Sequence, residues 1–272
     1  MISRSIVLVA LVLAPALLPS VSGSAAPSGS MQAATGTAVS DSLVPLRLVL
    51  NVAASRLDLL EEGKATRSYR VAVGTCDHPT PIGSFRIDRI VWNPWWVPPP
   101  FDWARDMKVT PPGPDNPTGR VKLFFGYYLF IHGTSAEESL GGPASHGCVR
   151  LSNADAIELA RTAHTYGSPG VDAAVLDSLE SDPGMTRTIR LTQPVPLAVR
   201  YDRIEVRDGR LLLHPDPYGM DPIGRGDVLS ALATAGVPAT DVAPFVVDAA
   251  LERAAGGSVS IDLRDLRGPV GP

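Results

Sequence analysis

The stretch Ser145-His146-Gly147-Cys148-Val149-Arg150-Leu151, together with Ile131-His132-Gly133-Thr134 upstream, is where the reading of this chain begins. Cysteine occurs only twice in 272 residues, and Cys148 has histidine, glycine and arginine as neighbours, with His132 sixteen positions earlier. A thiol of ordinary pKa, about 8.5, is only a few per cent thiolate at neutral pH, and a nearby cation or a helix N-terminus lowers it. Both stand close to Cys148 in the sequence, because Ser152-Asn153-Ala154-Asp155 opens a helix just downstream with a capping-box pattern. His132 is the candidate to take the thiol proton and return it to a leaving group. Such a base needs a third group to orient it, and the expected one is a backbone carbonyl, that of Gly133. Gly147 lets backbone approach a substrate carbonyl, which makes the amides of Gly147 and Cys148 the expected oxyanion donors. Arg150 suits a fork-like contact to a carboxylate, against the plainer reading of a solvated or ion-paired arginine. His146 shapes the pocket or donates a hydrogen bond; it is not the expected base.

Around these residues the pattern is mainly strand. Leu46, Leu48, Leu50 and Val52 alternate with other residues, which predicts an extended segment with one apolar face. Segments 57–60 and 69–73 flank Glu61-Glu62-Gly63-Lys64, a predicted hairpin turn, and another strand begins at Phe85 and Ile87 after a Pro/Gly loop. Residues 92–120 hold eight prolines and all four tryptophans, too much proline for a long regular element. They predict a long ordered loop, either a lid or a surface excursion pinned by tryptophan packing. Residues 121–132 read as one apolar strand ending in His132 at the lip of a sheet, and residues 133–144 as loop. The helix after Ser152 turns Ile157, Leu159, Ala160 and Ala163 inward and ends at Gly167. Later strands are expected at 188–191, 197–201 and 205–206, then at 211–214 after a turn at Asp208-Gly209. A tail from residue 226 reads as two helical stretches, 227–235 and 241–255, packed on the domain.

The N-terminus carries Arg4, an apolar run over 6–18 broken by Pro15, and small residues over 20–26. This predicts a secretory signal peptide at 1–26, with an uncleaved anchor as the alternative, since the run falls short of the roughly 20 residues of a membrane span. Residues 27–44 read as a flexible lead-in. The expected mature protein is exported, in the periplasm or extracytoplasmic envelope, with no stable membrane span. A net charge of −4 without a basic run argues against nucleic acid. In an oxidising compartment Cys76 and Cys148 are able to form one disulfide. A chain of this size needs no such staple, and the polar, cation-rich surroundings of Cys148 favour a free thiolate. Cys76 is expected to be a buried small hydrophobe, with a redox partner of Cys148 as the alternative.

Taken together, His132-Gly133-Thr134, the spacer 135–144 and Ser145 to Leu151 resemble the catalytic signature of the L,D-transpeptidases, the bacterial cell-wall family with the YkuD domain. Residues 47–74 resemble that domain's opening hairpin, and Thr80-Pro81-Ile82-Gly83-Ser84-Phe85 its Thr-Pro-x-Gly-x-(Phe/Tyr) segment. Residues 93–99 and 196–218 fit as well. The resemblance covers 45–222 and leaves 223–272 as a C-terminal helical extension of open role. It implies a mainly β, sandwich- or barrel-like fold with one main helix after the cysteine and a small helical tail. It makes Cys148 the nucleophile and His132 the proton acceptor and donor, with Ser145, His146, Gly147, Gly133 and Arg150 in supporting places. It further implies attack on the amide between a stem-peptide diamino acid and a terminal D-alanine, then a thioester. The acceptor would be an amine of a second peptidoglycan stem or of a wall-anchored protein. No metal or organic cofactor is implied. The first alternative is hydrolysis by the same residues, giving a carboxypeptidase or amidase, and the second a silent wall-binding module. Zinc binding by His132, His146, Cys148 and a spare His78 lacks the short ligand spacers such sites use.

Overall fold

Alternating apolar residues build the first strands of the computed structural model, which describes residues 45–267. The expected signal peptide (1–26) and lead-in (27–44) lie outside the described residues. β1 (Leu46–Asn51), β2 (Arg56–Glu61) and β3 (Lys64–Arg70) form an antiparallel meander. The turn between β2 and β3 is Glu62-Gly63, both with positive φ (48° and 80°), the backbone that a two-residue hairpin of strand-like twist demands. After a short β4 (Val73–Gly74), β5 (Gly83–Trp92) enters the sheet, followed by the excursion 93–120, β6 (Val121–Phe124) and β7 (Phe130–Thr134). Then come β8 (Pro143–Ser145), β9 (Val149–Ser152), α1 (Asn153–Gly167), α2 (Ala173–Ser181) and the long β10 (Arg187–Arg200). The main sheet has eight strands in the order β3-β2-β1-β10-β5-β6-β7-β9. It is a barrel-like mixed sheet, and the fold is mainly β as expected.

One face of this sheet is packed by α1. Leu123, Ile131, Val149 and Leu151 are fully buried in one cluster with Ala156, Leu159, Ala160 and Ala163 of α1. Because side chains alternate along a strand, Lys122, His132 and Arg150 stand on the other face. That division separates scaffold from site.

Two expectations near the site are corrected. Residues 121–132 are not one strand: the chain reverses at 125–129, where the Phe125 and Gly126 amides both bond to the Leu129 carbonyl. Gly126 permits the reversal, since a Cβ there would lie 3.1 Å from the Leu129 side chain. His132 is therefore the middle residue of β7 rather than the end of a strand. The two strands expected at 188–191 and 197–201 are instead one, β10, which runs Arg187–Arg200 across a register shift between Arg190 and Val195.

The C-terminal part is not only helical. β11 (Ile204–Arg207) and β12 (Arg210–Leu213) pair with β13 (Val259–Asp262), and α3 (Arg225–Thr234) and α4 (Pro244–Ala254) pack on this small sheet. Leu211, Leu213, Val228, Leu232, Val247 and Val259 form a second buried cluster. The expected boundary at 222 thus falls between the β11–β12 hairpin and the helices that cover it. Polar contacts tie this cluster to the main sheet: Arg56 and Asn51 reach Glu205, and Arg207 reaches Asp58.

Candidate active site

Cys148 and His132 are brought together by strand register. β7 and β9 are parallel neighbours with Ile131 opposite Val149 and His132 opposite Arg150. One step back along both strands, Phe130 stands beside Cys148, and β6 pairs Lys122 with His132 on the other side. Sixteen residues of chain thus shrink to a diagonal between neighbouring strands, His132 and Cys148 standing two residues out of register with their backbones roughly 8 Å apart.

His132 is buried, and its Nδ1 lies 2.8 Å from the carbonyl oxygen of Gly133. A carbonyl only accepts, so Nδ1 carries the proton and Nε2 the lone pair. This is the orienting group expected from the sequence. Gly133 is also where a side chain has no room, because a Cβ would sit 2.3 Å from Oδ1 of Asn153. Asn153, the first residue of α1, uses that oxygen to accept the Arg120 amide at 2.9 Å, and its Nδ2 donates to the Thr134 carbonyl. One side chain therefore fixes the end of β7 and the return of the excursion.

Cys148 is half-buried and unpaired, and its thiol donates to the Tyr128 carbonyl at 3.4 Å. Burial pushes the thiol up to about 11, against the Phe130 backbone and the charges of Lys122 and Arg150, which pull it down. Burial drives His132 the other way, to about 3, opposed by its bond to Gly133 and reinforced by Arg150 and Lys122. Burial thus favours the neutral thiol and the neutral imidazole, against the pull of the two cations on the thiol. The capped helix does not supply the missing activation. α1 is capped as foreseen, with Ser152 Oγ accepting the Asp155 amide, but β9 intervenes and the helix packs on the opposite face.

The supporting residues hold the turn before β9. Ser145 is buried, and its hydroxyl donates to the Cys148 carbonyl at 2.5 Å while its own carbonyl accepts the Thr75 amide. Gly147 has φ +96°, a backbone conformation that disfavours any residue with a side chain. Its carbonyl accepts Thr80 Oγ1, which also accepts the Gly74 amide, while the Thr80 amide donates to the Tyr218 hydroxyl. Among the described residues the amides of Gly147 and Cys148 have no acceptor. His146 is exposed, stacked on Trp103 with centroids 4.0 Å apart and edge-on to His78 at 4.6 Å. The excursion 93–120 is thus pinned at both ends. Asn93 and Asn116 bind its base, where Arg120 reaches Asn93 Oδ1 at 2.7 Å, and Trp103 rests on the motif. Cys76 is exposed, which corrects the expectation of burial: its loop runs along the surface beside Tyr218.

Lys122 was not anticipated. It is buried, its Nζ donates to the Trp95 carbonyl at 3.2 Å and lies 5.0 Å over the Phe130 ring, and burial lowers it to about 8. The only trace in the sequence is a lysine inside an otherwise apolar strand, Val121-Lys122-Leu123-Phe124.

The sequence profile of YkuD, the L,D-transpeptidase catalytic domain, matches residues 45–186, just over half of the chain. The chain belongs to the L,D-transpeptidase (YkuD) family. Among its relatives, the putative L,D-transpeptidase YqjB of Bacillus subtilis is 31% identical over 121 residues, 42% of this chain and 64% of that protein. The probable L,D-transpeptidase YbiS of Escherichia coli is 35% identical over 117 residues, 40% of this chain and 38% of that protein. The chain thus spans less than two thirds of either relative's length. Solved L,D-transpeptidases are also similar. One from Mycobacterium smegmatis has a TM-score of 0.36 at 15% identity, over 57% of this chain and 58% of that one. The catalytic domain from Enterococcus faecium has a TM-score of 0.38 at 15% identity, over 58% of this chain and 98% of that one.

Proposed function

We propose that this chain is an exported L,D-transpeptidase that acts on peptidoglycan stem peptides through an acyl-enzyme on Cys148. The observation that carries the reading is the β7/β9 register, which puts His132, its Nδ1 committed to Gly133, on the strand next to Cys148 and on the same face, two residues out of register with it. In the first half-reaction Cys148 Sγ attacks the carbonyl of the stem diamino acid while His132 Nε2 takes the thiol proton. With the thiol at about 11 and the imidazole at about 3, the transfer accompanies attack instead of preceding it. The amides of Gly147 and Cys148 receive the developing oxyanion. His132 then protonates the leaving amine, D-alanine departs, and a thioester remains. In the second half-reaction an acceptor amine, from another stem or from a wall-anchored protein, attacks the thioester, gives its proton to His132 and releases the thiol. Lys122 and Arg150 favour the sulfur anion as it forms and as it leaves. Arg150 is also the group suited to a substrate carboxylate.

The test is incubation with disaccharide-tetrapeptide muropeptides, read by mass spectrometry. A dimer lacking one alanine supports transfer, and a tripeptide alone assigns hydrolysis. No change with folded native protein overturns the enzyme reading. Cys148→Ala is expected to lose all turnover while keeping its thermal midpoint.

A further inference from the structure

A second set of charged residues lies on the same face of the sheet, three strands from the thiol. Read across the register, Cys148 on the β9 side neighbours Phe130 of β7, which faces Phe124 of β6, Arg89 of β5 and Arg190 of β10 in turn. The ring contacts follow the same line. Phe130 meets His132 at 5.4 Å and Phe124 at 5.2 Å, and the Arg89 guanidinium lies 4.0 Å over the Phe124 ring. The row ends at a cavity of about 280 Å³ lined by Arg86, Asp88, Arg89 and Arg190 together with Gly126 and Tyr127. At about 4.8 Å per strand, Arg89 stands roughly 14 Å from the Cys148 position, the length of about four extended residues.

Apart from the Phe124 ring under Arg89, no scaffold partner among the described residues accounts for the charge of these arginines. Arg89 and Arg190 are directly opposite across the β5/β10 ladder, a like-charge pair that destabilises a sheet. Among the described residues none of Arg86, Arg89 and Arg190 joins an ion pair, and Asp88 between them joins none either. Nε of Arg89 is buried without an acceptor, a position that a ligand oxygen would satisfy. The strand is also shaped for the purpose. Ile87 and Ile90 are both fully buried, so the alternation slips by one between them, opposite the shift in β10. That irregularity turns Arg86 and Arg89 to the same outer side, in the way bulges re-aim side chains near functional sites.

We propose that this cavity is an anion subsite that takes a carboxylate of the wall peptide while another part of the substrate occupies Cys148. The inference rests on the transfer reading given above and adds to it a specificity site on the scaffold strands. Guanidinium forks match a planar carboxylate in two hydrogen bonds, and Asp88 limits the local excess to about two positive charges, fitting one or two carboxylates.

The test reads binding instead of turnover. Cys148→Ala protein is titrated calorimetrically with a disaccharide-tetrapeptide muropeptide and with the same compound after its carboxylates are converted to amides. Both titrations are repeated with Arg86→Gln and Arg190→Gln introduced together. Both arginines are exposed, so the thermal midpoint is expected to be kept. The pocket substitutions are expected to weaken binding of the free-acid muropeptide about tenfold, and to change binding of the amidated compound little. Equal losses for the two compounds, or none for either, overturn the subsite. Saturation by inorganic phosphate at lower concentration than by muropeptide assigns the pocket to phosphate and also overturns it. D-Alanine release by the native enzyme, measured separately, distinguishes a failed subsite from a failed transfer reaction.

Discussion

Cys148 and His132 are held in their neutral forms by the same cause, burial, acting on groups of opposite charge type. Burial disfavours the charged form of each, so the thiol rises to about 11 and the imidazole falls to about 3. A site built this way reacts only when a proton can pass between the two during attack, and a nearby cation then becomes the controlling group. Lys122 is that cation: it faces His132 across β6/β7 and lowers the thiol through its charge. Because burial holds Lys122 itself at about 8, it loses its proton just above neutrality. The kcat/KM of the native enzyme is therefore expected to fall above about pH 8. Lys122→Met should lower kcat/KM about tenfold below that pH, as a charge-assisted contribution does, and should lack the limb near pH 8. A variant that keeps the native pH profile would remove Lys122 from the chemistry. Reaction of Cys148 with iodoacetamide, followed in a Cys76→Ser background, should in turn accelerate up to pH 10 and beyond.

The pairing of β7 with β9 does at the level of elements what chain proximity does not. Sixteen residues separate His132 from Cys148, and parallel pairing removes that separation while aiming both to the face away from α1. The arrangement depends on close approach between the end of β7 and the start of α1, where Asn153 leaves no room for a Cβ at Gly133. Gly133→Ala is expected to cost roughly 2 kcal/mol of stability, typical of forcing atoms into a filled site, and to displace the carbonyl that orients His132. Both effects are measurable, the first by chemical denaturation and the second as a fall in kcat with little change in KM. Adding Asn153→Ala should recover part of the stability, since the two changes share one contact. Strictly additive losses would show that the clash is not the cause.

At the scale of the whole molecule, two apolar clusters are joined through a polar seam that titrates in acid. Burial works against the charge of Glu205, but hydrogen bonds from His214 and Asn51 and the charge of Arg56 outweigh it and hold the carboxyl down to about 2. A carboxyl depressed on folding contributes stability above its unfolded pKa, and that contribution is lost as pH falls from about 4.5 toward 2. The amount is on the order of 3 kcal/mol. The buried histidines act in the same direction at higher pH. His132 and His164 fall from 6.5 to about 3 and about 4, so the unfolded chain binds more protons below pH 6.5 and stability declines as pH drops. His164 accepts the Trp92 indole N–H at 3.0 Å through Nε2, a bond its protonation breaks. Native protein should thus lose stability continuously from about pH 6.5 downward. Glu205→Gln should be about 3 kcal/mol weaker at neutral pH, as breaking one partner of a buried pair is. It should also show a flatter decline below pH 4.5. Denaturant midpoints across pH test this, and an unchanged slope below 4.5 would rule Glu205 out as the acid-sensitive link.

Local chemistry was legible in the residues themselves. Alternation at 46–52 marked β1, Glu62-Gly63 and Asp208-Gly209 marked turns that adopt positive φ, and Ser152 with Asp155 marked the start of α1. The carbonyl that orients His132 was legible too, because a histidine followed by glycine can reach the next carbonyl without a steric barrier. Each of these depends on a few consecutive residues. What needed tertiary structure was everything set by pairing and burial. The strand register assembled Lys122, His132, Cys148 and Arg150, and the reversal at Gly126 split one apolar run into β6 and β7. Desolvation outweighs the cations at the thiol, a balance not legible in sequence, since neighbouring cations say nothing about how much water remains around them. The pairing of β13 with β12 likewise joins residues about fifty positions apart and turns a tail read as helical into part of a second sheet. Sequence spacing defines which groups a chain can offer, whereas register and solvent exclusion, both properties of distant segments meeting, decide which of them act together.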